Sequence, residues 1–172
     1  MTRTISVSRL RAVAALAALC AAGIAGGSEN ALTAKPAPDF TLHSASGGNQ
    51  RLKEQRGQVV MLNFWATWCG PCRQEMPQLN RLYEKYHGAG FNLFGVNIDD
   101  DAGSAIGLSS RLGLRFPVLL DTDKRVSRMY DLSTMPSSVL IDRNGVVRYV
   151  HLGYKEGYED AYEKQIRELL KE

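Results

Sequence analysis

Cys69 and Cys72 stand in Trp68-Cys69-Gly70-Pro71-Cys72, where an apolar run gives way to a helical pattern, and nothing else in the chain restricts it as much. The run Val59-Val60-Met61-Leu62-Asn63-Phe64-Trp65 is too short for a buried helix and rich in strand formers, so it reads as a central strand covered on both faces. Beyond it, Cys72, Met76, Leu79, Tyr83 and Tyr86 recur at spacings of three and four, the signature of one helix face. Cys69 then falls at the helix N-terminus, where free N–H groups and the positive dipole end favour a thiolate. It is the candidate nucleophile. Cys72, one turn further in on the apolar side, is the candidate resolving thiol, shielded from solvent yet able to attack a mixed disulfide on Cys69. Pro71 suits the first turn, where its missing N–H has no helical partner to lose.

Other uses of Cys-x-x-Cys fit less well. A zinc site needs two more ligands, and the chain offers only the isolated His43, His87 and His151. Covalent haem attachment needs a histidine directly after the second cysteine, where Arg73 stands. A structural disulfide closing so small a loop would add little stability. Redox chemistry remains.

The length of 172 residues suits one domain, and 44% apolar content suffices for a core. Residues 1–25 read as a signal peptide: Arg3, Arg9 and Arg11 without an acid, then an uncharged alanine-rich stretch running to Ala25. An uncleaved membrane anchor is the alternative, although the stretch is short for a span. The formal net charge of +3 belongs to those three arginines, so a chain without the leader is neutral and offers no basic patch for nucleic acid. Cys20 lies within the leader, and Leu19 before it is not the small residue a lipid anchor requires. An exported domain left with one cysteine pair has no disulfide framework, so the pair reads as working chemistry.

Residues 26–38 read as a polar, proline-bearing linker that tethers the domain at 39–172. In the domain, Asp39–Leu42 and Gln50–Leu52 flank Ser46-Gly47-Gly48-Asn49 as a hairpin. A second buried strand covers Phe91–Ile98, and Asp99-Asp100-Asp101 after it reads as a helix cap rather than a metal site. Ala102–Leu112 reads as a helix, Phe116–Leu120 as a strand, and Lys124–Tyr130 as a short helix with Val126 and Met129 inward. Ser137–Ile141 and Val146–Val150 form a hairpin across Asn144-Gly145. A last helix from Tyr158 turns Tyr162, Ile166, Leu169 and Leu170 to one side. The order is that of an α/β domain, a mixed sheet with helices on both faces.

Leu62 to Cys72 resembles the active-site stretch of thioredoxin-fold proteins. More narrowly, the chain resembles the TlpA/ResA group of exported bacterial thiol-disulfide oxidoreductases. The likeness extends through Pro38–Leu42, Arg56-Gly57, Glu75-Met76-Pro77, Gly95-Val96-Asn97, Phe116–Asp121 and Met135-Pro136-Ser137-Ser138 to Leu140-Ile141-Asp142. It implies a thioredoxin-like fold with an N-terminal β-hairpin, the unit 102–120 as a central α/β insertion, and no cofactor. Asn63 stands where thioredoxins carry a buried aspartate, and an amide cannot take up a proton. By resemblance Glu75 is the acid that assists proton transfer at Cys72; the alternative on local grounds is a first-turn acid satisfying the helix dipole. Pro136 corresponds to a cis-proline opposite the cysteines, which would free the Met135 backbone for an extended substrate, with Met135 and Trp68 as apolar lips. Ser137 departs from the glutamate usual in the cytochrome-c-maturation branch.

The expected activity is reduction of disulfides in exported proteins, in the periplasm or on the outer face of a bacterial membrane. By resemblance the electrons come from a membrane thiol carrier of the DsbD or CcdA type. The alternatives are Cu(I) handling by the two thiolates, a cytochrome-c-maturation role, and a thiol peroxidase, whose expected threonine is replaced by Ala66.

Overall fold

The computed structural model describes residues 30–172, so the expected leader lies outside the described residues. Among the described residues seven strands form one sheet: β1 Thr41–Ser44, β2 Asn49–Arg51, β3 Val59–Trp65, β4 Phe91–Asn97, β5 Val118–Leu120, β6 Ser137–Ile141 and β7 Val147–Leu152. The α-helices in the same stretch are α1 Gly70–Tyr86, α2 Ala102–Arg111, α3 Arg125–Met129 and α4 Tyr158–Leu169. The strand order is β2-β1-β5-β4-β3-β6-β7. Strands β3, β4 and β5 run parallel, joined by α1 and α2 as crossovers, while β6 returns antiparallel along β3.

Strand β3 is buried along its whole length, so its residues divide between two cores. Val59, Met61 and Trp65 pack with α1, α2 and α4; Val60, Leu62 and Phe64 pack with Val126 of α3, Tyr130 and the N-terminal segment. Period-two alternation thus turns Asn63, alone among polar residues in this strand, toward α1 and α4. Gly95 of β4 has its reason in the same layer. A Cβ there would lie 2.8 Å from the Phe116 ring and 3.2 Å from Trp65 Nε1.

The elements follow the sequence pattern with four departures. In the first hairpin β1 starts two residues later than expected, and β2 ends one residue earlier because Leu52 turns into a short 3₁₀ segment and buries its side chain. On α1 the inward face is Cys72, Glu75, Met76, Leu79 and Leu82; Tyr83 and Tyr86 sit at its margin, Tyr83 against Phe116 and Tyr86 bonding Glu163. Met129 is exposed rather than inward, since the short α3 buries Val126 and the next inward side chain is Tyr130, which meets Phe40 and Phe64. Finally, the stretch expected as a tethering linker packs against the sheet: Pro36 bridges Val146, the Ala34 N–H donates to the Val147 carbonyl at 2.8 Å, and Ala37 is buried.

Candidate active site

The loop between β3 and α1 is short and restrained from both sides. The Asp99 carboxylate accepts the Thr67 N–H at 3.2 and 3.0 Å, and it also accepts from Asn97 Nδ2 at 2.9 Å. Arg73 closes the other side, donating to the Thr67 carbonyl at 2.6 Å. The aspartate triplet therefore divides its work. Asp99 holds the loop, Asp100 pairs with Lys124, and Asp101 caps α2 by accepting from Gly103 and Ser104 N–H groups. Sequence reasoning found only the cap; the signal for Asp99 was its place at the C-terminal end of a buried strand, where a loop from the neighbouring strand must pass.

Cys69 is the N-cap residue of α1, with extended backbone and its sulfur accepting the Cys72 N–H at 3.2 Å. The two cysteines are joined as a disulfide, their Cα atoms 5.3 Å apart. In the dithiol form the same N–H groups and the helix dipole would stabilise negative charge on Cys69. Cys69 retains 6% exposure and Cys72 none, so only the first sulfur can meet a large substrate. Trp68, 67% exposed, projects beside it.

Behind the pair lies a buried polar cluster. Glu75 is fully buried; Tyr162 OH donates to its Oε1 at 2.8 Å, and Asn63 Nδ2 donates to its Oε2 at 2.9 Å. The same Asn63 nitrogen lies 3.0 Å from Ser138 Oγ. Burial pushes the Glu75 carboxyl up to about 7, against the two hydrogen bonds that pull it down, with the negative charge of Glu159 adding to the rise. The first turn of α1 carries no acid, and Glu75, in the second turn, lies past the stretch where a carboxylate complements the helix dipole. It shares the inward face with Cys72, one turn away.

Strand register supplies the third side. Phe64 pairs with Ser137, which sets Met135 and Pro136 alongside the chain leading to Cys69. The Met135–Pro136 bond is cis, and Pro136 is buried with its carbonyl accepting the Gly153 N–H at 2.8 Å. Met135 is half-buried against both cores, next to a cavity of about 440 Å³ floored by Phe64, Ile98 and Leu132. Ser137 is turned inward, and its hydroxyl donates to the Thr134 carbonyl. Asn63, Ser138 and Tyr162 were not legible as a unit, because they come from three elements far apart in sequence.

The Redoxin family pattern matches residues 32–166. The thiol-disulfide oxidoreductase ResA of Geobacillus kaustophilus (strain HTA426) is 40% identical over 117 residues, 68% of this chain and 67% of that one. ResA of Bacillus subtilis (strain 168) is 33% identical over 144 residues, 80% of each chain. Among solved structures, a Chlorobium tepidum protein assigned as thiol:disulfide interchange protein DsbE superposes with a TM-score of 0.77 at 39% identity, covering 80% of this chain and 97% of that one. With an N-capping cysteine, a buried partner sulfur and a cis-proline loop at one end of the sheet, the chain belongs to the Redoxin family, in its ResA group of thiol-disulfide oxidoreductases.

Proposed function

We propose that this oxidoreductase works as a reductase of disulfides in exported proteins, with Glu75 as the proton acceptor for Cys72. The Cys69 thiolate attacks a client disulfide, forming a mixed disulfide and releasing one client sulfur as a thiolate that takes up a proton from water. Cys72 then gives its proton to the Glu75 carboxylate, and its thiolate attacks Cys69 Sγ. The second client thiolate leaves and is protonated in turn. Two electrons pass to the client, and the protein is left with the Cys69–Cys72 disulfide. The observation that carries this reading is the buried Glu75, held near neutrality one turn behind the buried sulfur. A carboxyl of that affinity can both take and return a proton at neutral pH, whereas an ordinary one stays ionised.

The direction is supported by the Gly70-Pro71 dipeptide, which thioredoxin shares. Client segments would lie in extended form along the Met135 backbone, between Met135 and Trp68. The leader at 1–25 supports export, as a signal peptide or an anchor, and an oxidising compartment requires an outside donor of electrons, a membrane thiol carrier of the DsbD or CcdA type. Equilibration with a glutathione redox buffer tests the direction. The expected potential lies below about −200 mV, toward thioredoxin near −270 mV; a value close to that of DsbA, about −120 mV, would make the protein an oxidant. Insulin reduction by the dithiol form is the accompanying activity.

A further inference from the structure

The proton acceptor proposed for Cys72 depends for its environment on a residue from the far end of the chain. Tyr162 lies on α4, is fully buried, and directs its hydroxyl at Glu75 Oε1 at 2.8 Å. Its ring is fixed from other sides: His151 of β7 meets it edge-on at 4.8 Å between centroids, and Tyr158 at 6.4 Å. His151 is itself tied down, its Nε2 lying 2.8 Å from Gln165 Oε1. Burial and the neighbouring carboxylate push the Tyr162 phenol well above its ordinary range, so it remains an O–H donor wherever the protein works.

We infer that Tyr162 is a positioning residue for thiol exchange: from α4, its hydroxyl holds the Glu75 carboxylate behind Cys72 and favours the ionised form, so that the C-terminal helix sets the readiness of the acceptor on α1. This rests on the reading of Glu75 as proton acceptor. A hydrogen bond from a neutral donor to a buried carboxylate is stronger than one to its protonated form, because the donor dipole meets a full charge in a medium that screens it little. The groups that face Glu75 leave few rivals for this task. On its own helix there is Cys72; from β3 comes Asn63, from β6 Ser138, from α4 Glu159, and His151 and Tyr154 stand further back. Glu159 opposes ionisation by its charge, and Asn63 and Tyr162 are the two groups that donate to the carboxylate. Asn63 gives its second N–H to Ser138, so its amide spans β6 and the carboxylate together. The Tyr162 hydroxyl has a single proton, which it gives to Glu75, while Ser138 of β6 stands beside its oxygen.

The test reads Glu75 directly. Titration of the ¹³C-labelled Glu75 carboxyl by NMR, with the resonance assigned through Glu75→Gln, is compared in wild type, Tyr162→Phe and Tyr158→Phe, with the pH profile of insulin reduction measured on the same proteins. Tyr162→Phe keeps the ring and removes only the hydroxyl. It is expected to raise the midpoint of Glu75 by about one pH unit, and to make exchange about tenfold slower on the acid side. Tyr158→Phe is expected to leave both unchanged. In a Glu75→Gln background, Tyr162→Phe should add no further shift of the profile. An unmoved carboxyl in Tyr162→Phe overturns the inference and leaves the Glu75 reading intact, as does an equal shift in Tyr158→Phe. A moved carboxyl with an unmoved rate profile overturns it together with the role of Glu75 in exchange. Should Tyr162→Phe fold poorly, Tyr162→Met without a donor is expected to give the same upward shift, and its absence likewise overturns the inference.

Discussion

The two cysteines face different worlds. In front of Cys69 the molecule is apolar and open: Trp68 is two-thirds exposed, and Met135 is half-buried over a cavity. Behind Cys72 it is polar and closed, with Asn63, Glu75, Ser138 and Tyr162 almost wholly removed from water and bonded to one another. The difference supports the division of labour proposed above. A sulfur that must meet many clients belongs on the side that water and proteins can reach, and a proton that must move at a set affinity belongs where solvent cannot level the environment. Front-side changes should therefore alter which substrates are captured, and back-side changes should alter how exchange depends on pH.

The sharpest break comes from exchanging the sulfurs one at a time. Cys69→Ser is expected to abolish insulin reduction, whereas Cys72→Ser should retain attack and accumulate mixed disulfides with clients, seen as thiol-sensitive bands on a gel. Fast alkylation of Cys72 instead of Cys69 in the dithiol form at neutral pH would reverse the assignment of front and back.

The back side next makes a prediction about stability. The Glu75 carboxyl is raised from 4.5 to about 7, so between those values the folded protein keeps a proton that the unfolded chain has lost. Its contribution is fully present below about pH 4.5 and is lost as pH rises through about 7, an effect of about 3 kcal/mol. Glu75→Gln should remove that slope. Asn63 Oδ1, which has no partner among the described residues, is free to accept from the new amide once the Asn63 amide turns over. Urea unfolding of the disulfide form at pH 5 and pH 8 measures it, and parallel behaviour of the two proteins would show that burial of Glu75 is not costly. In exchange kinetics the same variant should be slower, with a changed pH profile, because an amide cannot carry the proton.

A smaller effect is expected where the two sides meet. Asp99→Ala leaves the Thr67 N–H and the Asn97 amide without their acceptor, at a cost of about 1–3 kcal/mol in urea unfolding. Unchanged stability would mean that the loop before Cys69 is held by Arg73 alone. The smallest stability effect belongs to the front: Trp68→Ala should stay within about 0.5 kcal/mol, since most of the ring lies in water. Its KM for a protein substrate should nonetheless rise while kcat holds, the pattern of lost binding rather than lost chemistry. A fall in kcat alone would move Trp68 from the lip of the groove into the chemistry.

Much of this was open to reading from residue order. An apolar run seven residues long followed by an i, i+3, i+4 pattern defines strand β3 and helix α1, and the turn between them locates Cys69 at a helix N-terminus, because both periods are local properties of the backbone. The Asn144-Gly145 turn and the inward face of α4 followed in the same way. Tertiary packing decided the remainder. Residues 34–37 pair with residues 145–147, where the chain enters β7, because that edge offered unpaired backbone groups, which no local pattern announces. Met129 lost its expected place because a helix of one turn and a half buries few side chains, and Tyr130 filled the space against Phe40 and Phe64. Above all, the order of residues marked Glu75 as an acid near a cysteine, but its proton affinity belongs to no local stretch. It arises from the desolvation that the sheet and α4 impose together, and from donors contributed at positions 63 and 162, and such a quantity exists only once the chain has folded.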